Sequence, residues 1–105
     1  MTFSEFQHAA SRTLNRALSP ADQLLDAAAG LAEEGGEVLA IVRKHRFQGR
    51  ELDRARLVEE LGDALWCIST VASSLGVELD EVAAANRVKL TARHPRGFGP
   101  PDSAR

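Results

Sequence analysis

Apolar residues recur at three- and four-residue intervals along two long stretches of this chain, and nowhere do β-branched residues alternate over a strand's length. That pattern admits helices and argues against a sheet. Leu24, Ala28, Leu31, Gly35, Val38 and Val42 form one stripe, and Leu57, Leu61, Leu65, Ile68, Ala72 and Leu75 form a second. Alanine and leucine dominate and tyrosine is absent, which favours helix throughout. The predicted fold class is all-α. With 105 residues, 44% hydrophobic and 27% charged, the chain has the composition of one globular domain. A domain this short buries only about two-thirds of its unfolded surface, so its core alone is marginal and its size leaves room for self-association.

Local punctuation divides the chain into four predicted helices. The first spans about Thr2 to Leu18 and is weakly amphipathic. Ser19-Pro20 then offers an N-cap followed by proline at the first helical position, opening a second helix that runs to His45. Arg43, Lys44, His45 and Arg46 gather at its end, where positive charge complements the helix dipole. Phe47 to Leu52 reads as a loop, Asp53 as the cap of the third helix and Gly76 as its stop. The fourth helix starts near Asp80 and ends before Pro95. Residues 1–95 are therefore expected to form a single helical domain, and residues 96–105, with two glycines and two prolines, a loose tail.

The third helix also carries Ala64, Trp66, Cys67 and Val71, so apolar residues occupy most of its circumference. A helix apolar nearly all round is buried on more than one side. In so small a chain the second side is expected to be another subunit, with Trp66, nearly opposite the stripe, packed there.

Charge and cysteine content narrow the class of function. Thirteen basic against fifteen acidic residues leave a net charge of −2, which excludes the basic footprint of a general nucleic-acid binder. Cys67 is the lone cysteine, so no internal disulfide exists and a reducing, cytoplasmic setting is expected. Met1 to Ala10 carries Glu5 and does not read as a signal peptide. No run approaches the roughly 18 apolar residues of a membrane span.

The chemistry sits on the polar margins of the two stripes. The second helix reads Glu33-Glu34-Gly35-Gly36-Glu37 and the third Glu59-Glu60-Leu61-Gly62-Asp63. Helical positions three apart lie about 60° apart on one face, so Glu34 projects with Glu37 and Glu60 with Asp63. Antiparallel packing would gather four carboxylates beside the seam. They would repel one another and raise each other's pKa unless a cation neutralised them. An all-oxygen set selects a hard ion such as magnesium or manganese. Taken singly, a Glu-x-x-Glu pair does no more than keep a face solvated. Two pairs on consecutive helices, at the same offset from the stripe, are harder to explain that way. Gly35-Gly36 costs about 1 kcal/mol per glycine against alanine. The pair marks either a helix break or a place where a ligand or another backbone comes close.

On the fourth helix, Leu79, Ala83 and Leu90 form the inward face, with Asn86 and Arg93 on or next to it and Lys89 just beside it. An amide, a lysine and an arginine in a row there make a phosphate clamp, since arginine grips phosphate oxygens in a bidentate way and lysine acts as a point charge. The alternative is a peripheral helix whose polar residues face water. A carboxylate metal site together with a cationic strip implies a polyphosphate ligand.

These blocks resemble the MazG-type family of all-α nucleoside triphosphate pyrophosphohydrolases. Glu33, Glu34 and Glu37, then Glu60 and Asp63, meet its Glu-Glu-x-x-Glu and Glu-x-x-Asp signature. The strings Gly30 to Glu34, Glu60 to Trp66 and Asn86 to Pro95, closing on Gly97-Phe98, are similar too, as are Phe6-Gln7 and Arg12-Thr13. The resemblance implies Mg²⁺-dependent hydrolysis of a nucleoside triphosphate to the monophosphate and pyrophosphate. By the same resemblance Glu34, Glu37, Glu60 and Asp63 would be metal ligands. Glu33 would be an outer-shell group or, with Glu34, part of the catalytic machinery that activates water. Asn86, Lys89 and Arg93 would lie near the substrate phosphates. Family members assemble as dimers or tetramers of helical bundles, so a homodimer or homotetramer is expected. Two other readings stay open: a related hydrolase of a phosphoribosyl-nucleotide or alarmone, and a helical module that binds metal and nucleotide without turnover.

Overall fold

A computed structural model describes residues 1–99 and contains, over them, four α-helices and no strand: α1 (Phe3–Ser11), α2 (Pro20–Gln48), α3 (Arg54–Ser74) and α4 (Leu79–Arg93). The start signals are local hydrogen bonds. Thr2 and Glu5 form a reciprocal capping box on α1. Ser19 Oγ accepts from the Asp22 N–H at 3.2 Å with Pro20 opening α2, and Asp53 accepts from the Arg56 N–H at 3.1 Å at the head of α3. Gly49 and Gly76, at φ of 64° and 70°, supply the left-handed turns after α2 and α3.

Two helix ends differ from the sequence expectation. Helix α1 stops at Ser11 instead of Leu18, because the polar side chains that follow bond their own backbone: Thr13 Oγ1 donates to the Ala10 carbonyl at 2.7 Å, and Asn15 Oδ1 accepts from the Ala17 N–H at 3.0 Å. Helix α2 continues past His45 to Gln48, where Gly49 ends it. It runs unbroken through Gly35-Gly36, so that pair is no helix break, and a Cβ on either glycine would meet nothing of the chain within 4 Å. The expected tail from residue 96 lies outside the described residues from residue 100 onward. Before that point Pro95 and Gly97 close a tight turn.

Helices α2 and α3 form an antiparallel hairpin in which Gly30 faces Cys67 and Glu37 faces Arg56. Gly30 is the glycine this crossing needs: a Cβ there would sit 2.9 Å from Cys67 Sγ. The α2 face turned inward carries Ala27, Gly30, Glu34, Val38 and Ile41, one helical step from the predicted stripe. Small residues at 27 and 30 let the backbones approach, and that close approach selects the face. Leu24, Leu31 and Val42 of the predicted stripe are left exposed.

Helix α3 is the centre of the chain, touching α1, α2 and α4. Its apolar circumference is covered in part by α2, α1 and α4, while Val58 and Leu61 stay exposed on it. Trp66 is half-buried within its own chain, its indole N–H donating to Thr13 Oγ1 at 2.7 Å. Buried Gln7 fastens α1 to the α3–α4 turn: its amide donates to Ser73 Oγ and the Val77 carbonyl, and its oxygen accepts from the Leu79 N–H at 2.7 Å.

The fully buried apolar set is mostly small: Ala10, Ala27, Cys67 and Ala72, with Ile41 and Leu79. Against it stand exposed Leu25, Leu39, Phe47 and Val58 as well as the stranded α2 stripe. Leu79 is the sole buried residue of α4, and residues 80–93 are exposed without exception. Helix α4 touches α1 and α3 but does not reach α2.

Candidate metal and phosphate site

The inward face of α2 carries a glutamate where a core residue would normally sit. Glu34 lies on the line of Ala27 and Ile41, and α3 answers it with Glu60 and Asp63. One oxygen from each of Glu34, Glu60 and Asp63 lies within 4.8 Å of the others. Glu34 Oε2 is buried and has no hydrogen-bond partner, and the Glu60 side chain is only 15% exposed. A buried, unpartnered carboxylate oxygen beside two further carboxylates is costly unless a proton or a cation occupies the cluster.

Electrostatics report the same tension. The pKa of Glu34 is pushed up to about 7, first by the hydrogen bond it shares with Glu60, then by loss of solvent, then by the charges of Glu60, Asp63 and Glu37. Without metal the cluster thus stores a proton on Glu34 near neutrality. The folded pKa exceeds the unfolded value of 4.5, so the folded state binds more protons between the two. The resulting stabilisation is fully present below about pH 4.5 and is lost as the pH rises through 7. Metal-free protein should accordingly show a falling melting temperature across that window. Glu34→Gln should flatten the fall, and an unchanged slope in thermal melts of that variant would refute the assignment.

The four carboxylates expected as ligands are not equivalent. Glu34, Glu60 and Asp63 converge, whereas Glu37 Oε2 turns to Arg56 Nη2 at 3.5 Å. Arg56 Nε also approaches Glu60 Oε1 at 4.0 Å. This arginine is absent from the residues singled out by sequence. A cation in the first turn of a helix opposes the dipole, but Arg54 shares that turn, so the sequence signal does not single out Arg56.

Glu33 is exposed and lines a cleft of about 480 Å³ with Asp26, Gly30, Glu34, Asp63 and Trp66. Cys67 closes the floor of that cleft, and burial followed by the charges of Glu34 and Asp63 pushes its thiol up, away from the reactive thiolate. Asn86, Lys89 and Arg93 are not brought to the carboxylates within one chain. They lie on the exposed length of α4, which does not reach α2. The residues present fit a hard divalent ion: three carboxylates converge, a fourth is one turn away, all donors are oxygen, and one buried oxygen lacks a partner.

Over the described residues the chain is all-helical, and its central hairpin brings the carboxylates of Glu34, Glu60 and Asp63 together. The MazG nucleotide pyrophosphohydrolase domain matches residues 23–98, and the chain belongs to that family. It is also 38% identical over 72 residues to the uncharacterized protein YvdC of Bacillus subtilis (strain 168), a match covering 60% of this chain and 68% of that protein. No solved structure matches the chain significantly. No helix among the described residues is long and apolar enough to cross a membrane.

Proposed function

We propose that the protein is a homo-oligomeric, Mg²⁺-dependent pyrophosphohydrolase that converts a (deoxy)nucleoside triphosphate to its monophosphate and pyrophosphate. Manganese would substitute. The observation that carries this reading is the convergence of Glu34, Glu60 and Asp63 around a buried, unpartnered carboxylate oxygen in a chain of this family. Glu34, Glu60 and Asp63 would hold the ion, with Glu37 joining them once it leaves Arg56. A bound divalent ion supplies Lewis-acid neutralisation of the phosphate oxygens and lowers the pKa of water.

The chain's own residues then do the rest. A water oxygen attacks the α-phosphorus, the bond from that phosphorus to the bridging oxygen breaks, and pyrophosphate departs. Glu33 and Glu34 both line the cleft, and either would accept the proton of such a water. Trp66 lies on the wall of the same cleft, where its ring would border the nucleoside. The phosphate clamp of Asn86, Lys89 and Arg93 comes from α4 of another copy. The exposed α2 stripe and the exposed length of α4 support that assembly, because neither is satisfied in one chain.

The test is product analysis. Purified protein incubated with Mg²⁺ and each common NTP and dNTP should give monophosphate and pyrophosphate in equal amounts, resolved by ion exchange, and EDTA should stop the reaction. Release of orthophosphate, or turnover that survives EDTA, would overturn the proposal.

A further inference from the structure

Beside the carboxylates, at the α2–α3 turn, lies an open groove of about 230 Å³. Three cations line it: Lys44 from α2, Arg50 from the connecting loop and Arg56 from the first turn of α3. They reach it for local reasons. His45 Nδ1 meets the Arg50 carbonyl at 2.7 Å, which holds the loop against the end of α2. The Asp53 cap binds the backbone N–H of Arg56 and so sets where α3 begins. Arg56 is half-exposed and its guanidinium stands 3.5 Å from Glu37 and 4.0 Å from Glu60. In the metal-free protein it is the cation that partly neutralises the acidic cluster. Ion pairs this exposed contribute little to stability, so Arg56 can exchange partners at small cost.

We infer that Arg56 is an exchangeable counter-cation, paired with Glu37 and Glu60 in the metal-free protein and released by a divalent ion to grip, with Lys44 and Arg50, the pyrophosphate end of the substrate. The inference rests on the proposed reaction and adds to it the residues that receive the leaving group. Charge supports the exchange. Once Glu37 is drawn to an ion, Lys44, Arg50 and Arg56 face only Glu51 and Asp53 in the groove, and Asp53 already accepts the Arg56 N–H. A guanidinium freed at that moment meets an anion bearing several negative oxygens, for which its planar fork suits bidentate contact. The clamp on α4 does not reach α2 in this chain, whereas these three cations adjoin the acidic cluster in cis.

Two binding measurements without turnover test the exchange. Mn²⁺ titrated into nucleotide-free protein and followed by electron paramagnetic resonance should bind Arg56→Gln about 2- to 5-fold more tightly than wild type, since a competing positive charge is gone. Calorimetric titration of inorganic pyrophosphate into Mn²⁺-loaded protein should show about 10-fold weaker binding for the same variant. Lys44→Gln, which touches no carboxylate, should weaken pyrophosphate binding and leave Mn²⁺ affinity unchanged. Arg56→Lys should recover part of the pyrophosphate affinity. Equal or weaker Mn²⁺ binding by Arg56→Gln, or pyrophosphate affinity within two-fold of wild type, overturns the exchange. If wild type cleaves triphosphates in either event, the proposed reaction survives. A wild-type protein that binds neither Mn²⁺ nor pyrophosphate overturns both.

Discussion

Glu60→Gln is expected to lower turnover of the preferred triphosphate by about 10³-fold or more while leaving the metal-free protein at least as stable as wild type. The two halves of the result have one cause. Glu60 adjoins Glu34, contributes an oxygen to the three-carboxylate cluster and is the second contact of Arg56. An amide is nearly isosteric and keeps a hydrogen-bonding oxygen. It removes the charge that a divalent ion needs and that Glu34 resists. Loss of that repulsion offsets whatever the weak Arg56 contact contributed. Thermal melts without metal, beside steady-state rates with Mg²⁺, measure both. Activity within ten-fold of wild type would remove Glu60 from the site. A large loss of stability would show that the cluster is an ion-paired core element and not a site awaiting a cation.

The second large effect concerns α4. Lys89→Ala combined with Arg93→Ala should lower activity by about 10²-fold or more, because the phosphates lose a point charge and a bidentate partner. Co-expressing that double variant with Glu60→Gln should restore activity that neither has alone. Each mixed pair of subunits contains one site with intact carboxylates from one copy and intact cations from the other. Random pairing in a symmetric dimer then recovers about a quarter of the wild-type rate. Residues 80–93 are exposed and α4 does not reach the helix that carries Glu34. Activity of the mixture no higher than the sum of its parts would mean that α4 serves its own chain or none.

Much of the site is legible in the amino-acid sequence because its information is local. Spacing alone groups Glu34 with Glu37 and Glu60 with Asp63, since rotation per residue is a property of the helix and not of its neighbours. Ser19-Pro20, Asp53 and Gly76 mark ends of helices through bonds and backbone angles spanning only a few residues. The early stop of α1 is local too, but it depends on Thr13 and Asn15 turning their polar atoms back on the chain, which competes closely with helix. Arg56 is hidden for a different reason. Its partner Glu37 lies on another helix, and nothing in its own segment names that partner.

Periodicity and capping are enough to make the chain helical, to place most helix ends within a few residues, and to group the carboxylates by face. They do not settle which face of α2 meets α3. Adjacent faces of a helix differ by one 100° step, and the choice between them turns on how closely two backbones can approach. Here Ala27 and Gly30 allow that approach, so Glu34 turns inward and Leu24, Leu31 and Val42 turn out. The same non-local packing sets α1, α2 and α4 against α3, carries α4 away from α2, and leaves Arg56 as the cation beside the carboxylates.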